Sequence, residues 1–178
     1  HRDLHSFPTR RSSDLNSKIN IYRMNYKNEQ LKNIDIKQEG EYDYYSADAT
    51  IHQGIEFDVS FNFIQKLNVS FNGAINHNNF ESGDSKGNFL PNTPLTLGNS
   101  VISYQHSKGI QAFIKLRYVG KQFVDQNNTP AGVIDPFTLV DLGSSLKFGK
   151  AVLNLKINNL FDARSEERRV GKECRSRW

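Results

Sequence analysis

The 178-residue chain holds few side chains that could do chemistry, and their spacing decides most cases. Of the five histidines, His1 and His5 fall in a terminal tail treated below, and the other three, His52, His77 and His106, stand 25 and 29 residues apart. None has a second histidine at i+2 or i+4, the spacing that lets one strand or helix present two ligands, so no metal site is expected. They read as surface or strand-end residues. Glu56 and Asp58 lie two apart on one potential face, the minimum for a carboxylate pair in acid–base work. Sheet walls show such pairs routinely, and they read here as wall residues. Residues 76–88 (NHNNFESGDSKGN) are rich in oxygen ligands but lack the spacing and closing Glu of a calcium loop. That stretch reads either as a hydrated loop or as one that captures a ligand outside the cell, because long loops often carry function. No Ser/His/Asp arrangement, phosphate loop or dinucleotide glycine pattern occurs. No catalytic residue and no cofactor is expected, and the chain is not read as an enzyme.

The two ends need a separate account. Residues 1–15 read HRDLHSFPTRRSSDL and residues 164–178 read RSEERRVGKECRSRW. A DNA encoding the first, taken as its reverse complement, encodes the second once the last codon is completed. Strand reversal has no protein-level explanation, and the DNA looks like a sequencing adapter joined to both ends of a genomic fragment. Both tails are therefore expected to be artefact, which leaves 16–163 as the protein segment. The tails hold nine of the 23 Lys and Arg and five of the 19 Asp and Glu, so 14 of each remain and the net charge of the segment is zero. The basic balance of the whole chain then gives no support to a nucleic-acid partner. The single cysteine, Cys174, also falls in a tail, which removes disulfide, thiolate-metal and cysteine-nucleophile chemistry.

What positions the remaining side chains is a set of strands. Residues 55–63 (IEFDVSFNF) alternate without fault: Ile55, Phe57, Val59, Phe61 and Phe63 against Glu56, Asp58, Ser60 and Asn62. Period two sets an apolar face against a polar one. Residues 67–76 and 151–158 repeat the pattern, the latter with Val152 as the exception, and 110–118 does so with Phe113 out of place. Residues 19–27, 31–38, 97–105 and 138–148 favour strand more weakly. No segment shows a 3.6-residue period, and no apolar run nears the roughly 20 residues of a spanning helix. Short links are expected near 28–30, 65–66, 107–109 and 149–150, with long polar links at 39–49, 78–94 and 121–136. Strict alternation of short and long links means antiparallel neighbours with every long link at one end, the layout of outer-membrane barrels. Strands of about ten residues suit such a wall. Tyr26, Phe63, Tyr104, Tyr118, Phe137 and Phe148 lie near strand ends, as interfacial girdles require. Pro91, Pro94 and Pro136 are expected just ahead of strands, where a missing N–H costs no ladder bond. The fold class is thus all-β, an antiparallel up-and-down meander of about eight strands forming part of a transmembrane barrel wall. A small closed outer-membrane barrel, structural or enzymatic, and a soluble lipid-binding barrel are the alternatives.

Four pieces, in order, resemble the C-terminal part of the barrel of TonB-dependent outer-membrane receptors. They are HQGIEFDVSFNFIQKLNVSFNGAINHNNF with Gly54 and Glu56, LPNTPLTLGNSVISYQ with Pro91 and Pro94, YVGKQFVDQNNT with Tyr118 and Gly120, and INNLFDA with Asn158, Asn159, Leu160, Phe161 and Asp162. The resemblance implies a barrel of about 22 strands plugged from inside. It implies uptake of a scarce ligand, such as a siderophore–iron complex, cobalamin or a glycan, driven by a TonB complex. It places the protein in the outer membrane of a Gram-negative bacterium, with lipid around it and no nucleic acid among its partners. In that setting Ile55, Phe57, Val59 and Phe61 face lipid, and Glu56, Asp58, Ser60 and Asn62 face the lumen. Ligand-binding residues are not identified by the sequence.

Overall fold

A computed structural model describes residues 15–33, 43–64, 66–106 and 109–163. Nine strands follow one another: β1 (Leu15–Asn33), β2 (Asp43–Ile64), β3 (Leu67–Phe80), β4 (Thr96–His106), β5 (Ile110–Val119), β6 (Gln122–Phe123), β7 (Val133–Ile134), β8 (Phe137–Phe148) and β9 (Ala151–Ile157). Seven form a single meander in the order β1-β2-β3-β4-β5-β8-β9, every pair antiparallel. The short β6 and β7 pair with each other inside the link between β5 and β8. All long links leave from the same end of the sheet, as the alternation of link lengths requires.

One register line shows how the pattern is used. Leu15, Phe61, Val69, Ile102, Ile114, Leu142 and Ile157 stand opposite one another across all seven strands. A neighbouring line on the other face runs Lys18, Asp58, Asn72, Asn99 and Arg117. Directly opposed residues share a face, so the sheet is apolar on one side and polar on the other. No second layer covers the apolar side among the described residues: Phe71 and Ile75, on an interior strand, are 45% and 55% exposed. A soluble sandwich would bury them. Exposed apolar surface of this extent marks contact with lipid or another protein.

Glycines stand opposite several aromatic rings and make room for them, including Phe113, which breaks the alternation. Phe113 lies on the polar face, opposite Gly143, and a Cβ on that glycine would fall 2.2 Å from its ring. Tyr22 sits over Gly54, and Phe57 over Gly73, in the same way. Each ring fills the hole its partner leaves.

Several expectations fail. The turn expected near 28–30 does not exist, because β1 runs unbroken and Lys27 and Glu29 both pair with β2, opposite Ala49 and Ala47. Asn28 adopts φ 55, a left-handed kink that asparagine tolerates and that the long partner strand bridges. The residues 19–27 and 31–33 thus form one strand, and residues 34–38 lie outside the described residues. The stretch 43–49 belongs to β2 and not to a long link. Its alternation is carried by Ala47 and Ala49, too small to read as a hydrophobic face. Tyr26 and Phe137 lie on the polar face, opposite Thr50 and Val119, and so join no girdle; Phe63, Tyr104, Tyr118 and Phe148 fit one. Pro91 sits in the turn after Leu90 and does not directly precede a strand.

Candidate functional site

Two places gather polar side chains. The first is the polar face itself, where Lys18, Asn20, Glu56, Asp58, Asn72 and Asn99 line a shallow groove. Cross-strand amides organise it: Asn20 Nδ2 donates to Glu56 at 3.1 Å, Asn99 Nδ2 to Asn72 at 3.1 Å, and Asn68 Nδ2 to Asn62 at 2.8 Å. Tyr22 donates its hydroxyl to Asn76 at 2.9 Å. Glu56 is thus held by an amide, not poised beside a nucleophile, and Asp58 stands opposite Lys18 and Asn72. This is a hydrated surface suited to polar contacts with whatever lies inside the wall.

The second is the long-link end. β1 and β2 run well past the roughly ten residues needed to cross a bilayer. There His52 Nε2 lies 3.0 Å from Glu29, and the Thr50 hydroxyl donates to the same carboxylate oxygen. Tyr26 meets the His52 ring edge-on at 5.1 Å. Tyr45 lies near Glu29; burial, then that negative charge, raises its phenol above the ordinary range and keeps it neutral. Glu29 escaped the sequence reading because it follows the kink at Asn28 and looked like part of a turn. The other histidines are apart: His77 meets Phe89 edge-on at 5.2 Å, while His106 lies by Tyr104 at the short-turn end. Among the described residues no three His, Cys, Asp or Glu side chains gather as a metal site.

Residues 76–88 are not a simple hydrated loop. Residues 76–80 belong to β3, and the rest folds back so that Phe80 N donates to Asn88 O at 3.0 Å and Gly87 N to Phe80 O at 2.8 Å. Leu90 is buried with Phe80 and Ala47 against Leu31 and Tyr45. This turn is joined to the link between β5 and β8. Asn128 acts as a piece of strand: its Oδ1 accepts from Phe89 N at 2.7 Å and its Nδ2 donates to Phe89 O at 2.9 Å. Phe89 and Phe123 stack at 5.8 Å, and Asn92 N donates to Phe123 O at 2.7 Å. Asp125 ties its own link by accepting from Asn127 N at 2.9 Å and the Thr129 hydroxyl at 2.9 Å. The Asp-x-Asn-x-Thr spacing was the signal for such a turn and was missed. Asn128→Ala leaves both backbone groups of Phe89 without their partners, at a cost of about 1–3 kcal/mol. In hydrogen exchange on the intact receptor, both links then exchange faster while β3, β4 and β5 stay protected; unchanged links would show that the two are not coupled through Asn128.

The sequence motifs fall where backbones approach closely or turn. A Cβ on Gly54 would lie 2.4 Å from Ile75 O, and one on Gly120 would lie 2.1 Å from the Thr96 hydroxyl. Tyr118 stands opposite Gly98, and Pro94 O accepts from Asn76 Nδ2 at 3.0 Å. Asn159 closes the last turn: its amide bonds both backbone groups of Ala163 at 2.9 and 3.0 Å, and its N–H reaches Asp141 at 2.9 Å. Leu160 N donates to Val140 O at 2.8 Å, Asp162 takes φ 48, and Asn158 and Phe161 are exposed.

Comparison with known proteins agrees with this architecture. Among solved structures, the ferric yersiniabactin uptake receptor FyuA of Yersinia pestis superposes with a TM-score of 0.69 at 18% identity, over 85% of this chain and 23% of that one. The siderophore receptor PiuA of Acinetobacter baumannii gives 0.67 at 21% identity, over 85% and 22%. The ferric enterobactin receptor PfeA of Pseudomonas aeruginosa gives 0.65 at 20%, over 84% and 24%. The chain thus spans under a quarter of each of these receptors. No curated protein sequence matches it. The family described as "TonB dependent receptor-like, beta-barrel" matches residues 9–160. A two-faced, seven-stranded meander with all its long links at one end, matched over most of its length, belongs to the TonB-dependent receptor β-barrel family.

Proposed function

We propose that the intact protein imports a scarce ligand across the outer membrane, energised by a TonB complex, with a ferric siderophore as the first ligand class. Cobalamin and glycans are the other classes the family reading includes. The family sits in the outer membrane of Gram-negative bacteria and consists of transporters rather than enzymes. The observation that carries the reading is the register line of apolar residues from Phe61 to Ile157 across six strands, backed by a polar face rich in asparagine. The apolar face then meets lipid, and the polar face meets the lumen and a plug. Support for siderophores comes from the similar solved structures, which are siderophore and ferric-siderophore receptors by name. On this reading Gly54, Gly120 and Asn159 keep strand spacing and the closing turn, and none touches the ligand. Residues 1–15 and 164–178 are taken as adapter-derived and left out of it.

The test uses the full reading frame recovered from the source DNA, expressed in a Gram-negative host lacking its own siderophore receptors. Uptake of iron-55 from a panel of siderophores is expected, and it is expected to vanish when TonB is deleted. Equal uptake with and without TonB would overturn the energised reading. TonB-dependent uptake of cobalamin or a glycan, with none of iron, would overturn the siderophore assignment.

A further inference from the structure

We propose that the imported ligand passes the plug as an anion, along the strip of lumen wall formed by β5, β8 and β9. The inference rests on the import reading and adds the side of the lumen used and the charge carried. Charges on the polar face are unevenly placed. Lys18, Glu56 and Asp58 stand together on β1 and β2, and β3 and β4 carry no Asp, Glu, Lys or Arg. The strands β5, β8 and β9 bring four cations to the same face: Arg117, Lys115, Lys156 and Lys147. Asp141 is the one carboxylate on these three strands, and its Oδ1 already accepts from Asn159 N at 2.9 Å.

The cations descend in steps. Arg117 shares a register line with Asn99 and Leu139, and Lys115 lies on the next line, between Val101 and Asp141. Lys156, opposite Gly143, is one line lower. Lys147, opposite Val152, ends the series at the short turns, where its N–H donates to Gly109 O at 3.1 Å. The line between Lys156 and Lys147 holds Gln111, Ser145 and Asn154, polar and uncharged. At about 3.3 Å per residue, Leu139 to Lys147 covers ~26 Å, most of β8. Arg117, Lys156 and Lys147 are exposed and Lys115 is half-buried. No side chain of the four has an ion-pair or hydrogen-bond partner among the described residues. Elsewhere on the polar face amides lock onto their neighbours, as Asn99 does on Asn72 and Asn20 on Glu56. That surface suits a neighbour that stays in place. Free cations on long stems, spread over successive lines, suit an anion that is held weakly at several sites and passed on. A cleft lined by one sign of charge also concentrates ions of the other sign.

The test replaces the ligand with two thiol reagents, the anionic sulfonatoethyl and the cationic trimethylammonioethyl methanethiosulfonate. Each rate is divided by that reagent's rate with a free thiol in solution. Ser145→Cys in the intact receptor reports from the line between Lys156 and Lys147. Ser70→Cys, equally half-buried between Ser60 and Val101, is the control. In cells with TonB, the anionic reagent is expected to modify Ser145→Cys about tenfold faster than the cationic one, and Ser70→Cys at nearly the same rate. Deleting TonB slows modification at Ser145→Cys. Lys147→Gln with Lys156→Gln removes the bias there, and either alone lowers it to about threefold. The heat-dependent gel shift of a folded barrel confirms that every variant is assembled; should the double variant not assemble, the single variants decide. Equal rates of the two reagents at Ser145→Cys, a bias that survives loss of the lysines, or modification unchanged without TonB would overturn the proposal. TonB-dependent uptake, measured separately, can persist in each of those cases, so the two readings fail separately.

Discussion

The intact receptor carrying Val59→Lys fails to assemble in the outer membrane, while Ser60→Lys assembles. Val59 is the middle of the five apolar residues that β2 presents, with Phe71 and Ser17 opposite it on either side. A lysine at the bilayer midplane costs about 2–4 kcal/mol, and from the middle of the belt its ammonium cannot reach either surface cheaply. Ser60 is one residue away on the other face, between Asn16 and Ser70, where a cation meets water and amides. Val59→Ile changes the bulk at that point and not the polarity, and it assembles as well as the parent. The measurement is the heat-dependent gel shift of outer-membrane fractions. A folded Val59→Lys beside an unfolded Ser60→Lys would reverse the assignment of faces.

Gly54→Ala destabilises the barrel by about 1–3 kcal/mol, whereas Gly98→Ala does not. The added methyl at Gly54 would lie 2.4 Å from Ile75 O and 2.9 Å from the Tyr22 hydroxyl. The first of these is backbone in the β2–β3 ladder and cannot swing aside. At Gly98 the same methyl meets Tyr118 Cβ at 3.7 Å and the Phe71 ring at 3.9 Å, ordinary contacts. There the lower freedom of the unfolded chain even favours alanine by up to about 1 kcal/mol. Urea unfolding of the receptor in bilayers reads both. Equal midpoints for the two variants would show that β2 and β3 approach less closely at Gly54 than described.

The wall was legible wherever large apolar residues alternated with polar ones. Residues 55–63 alone set the two faces, because five large side chains on one side leave no other economical arrangement. The long β1 was not legible: Asn28 and its neighbours carry turn chemistry, and only a 22-residue partner reveals that the chain runs straight through. Phe113 looked like an error in the pattern until Gly143 appeared opposite it, a relation 30 residues apart in sequence and so invisible to local periodicity. The long links were read by composition as polar and open. Their order comes from single side chains replacing backbone, Asn128 against Phe89 above all, and composition does not register that. The Glu29–His52 pair was hidden for a similar reason, since the register of β1 on β2 brings together residues 23 apart.

The central claim is that β2 crosses the outer membrane with its odd-numbered residues from Ile55 to Phe63 against lipid. The most direct test places one cysteine at a time at positions 55–63 of the intact receptor and attaches a spin label. Accessibility to oxygen, which partitions into lipid, and to a water-soluble nickel chelate is then measured. Oxygen is expected to dominate at Ile55, Phe57, Val59, Phe61 and Phe63, and the chelate at Glu56, Asp58, Ser60 and Asn62. A profile without period two, or one of opposite phase, would contradict the account.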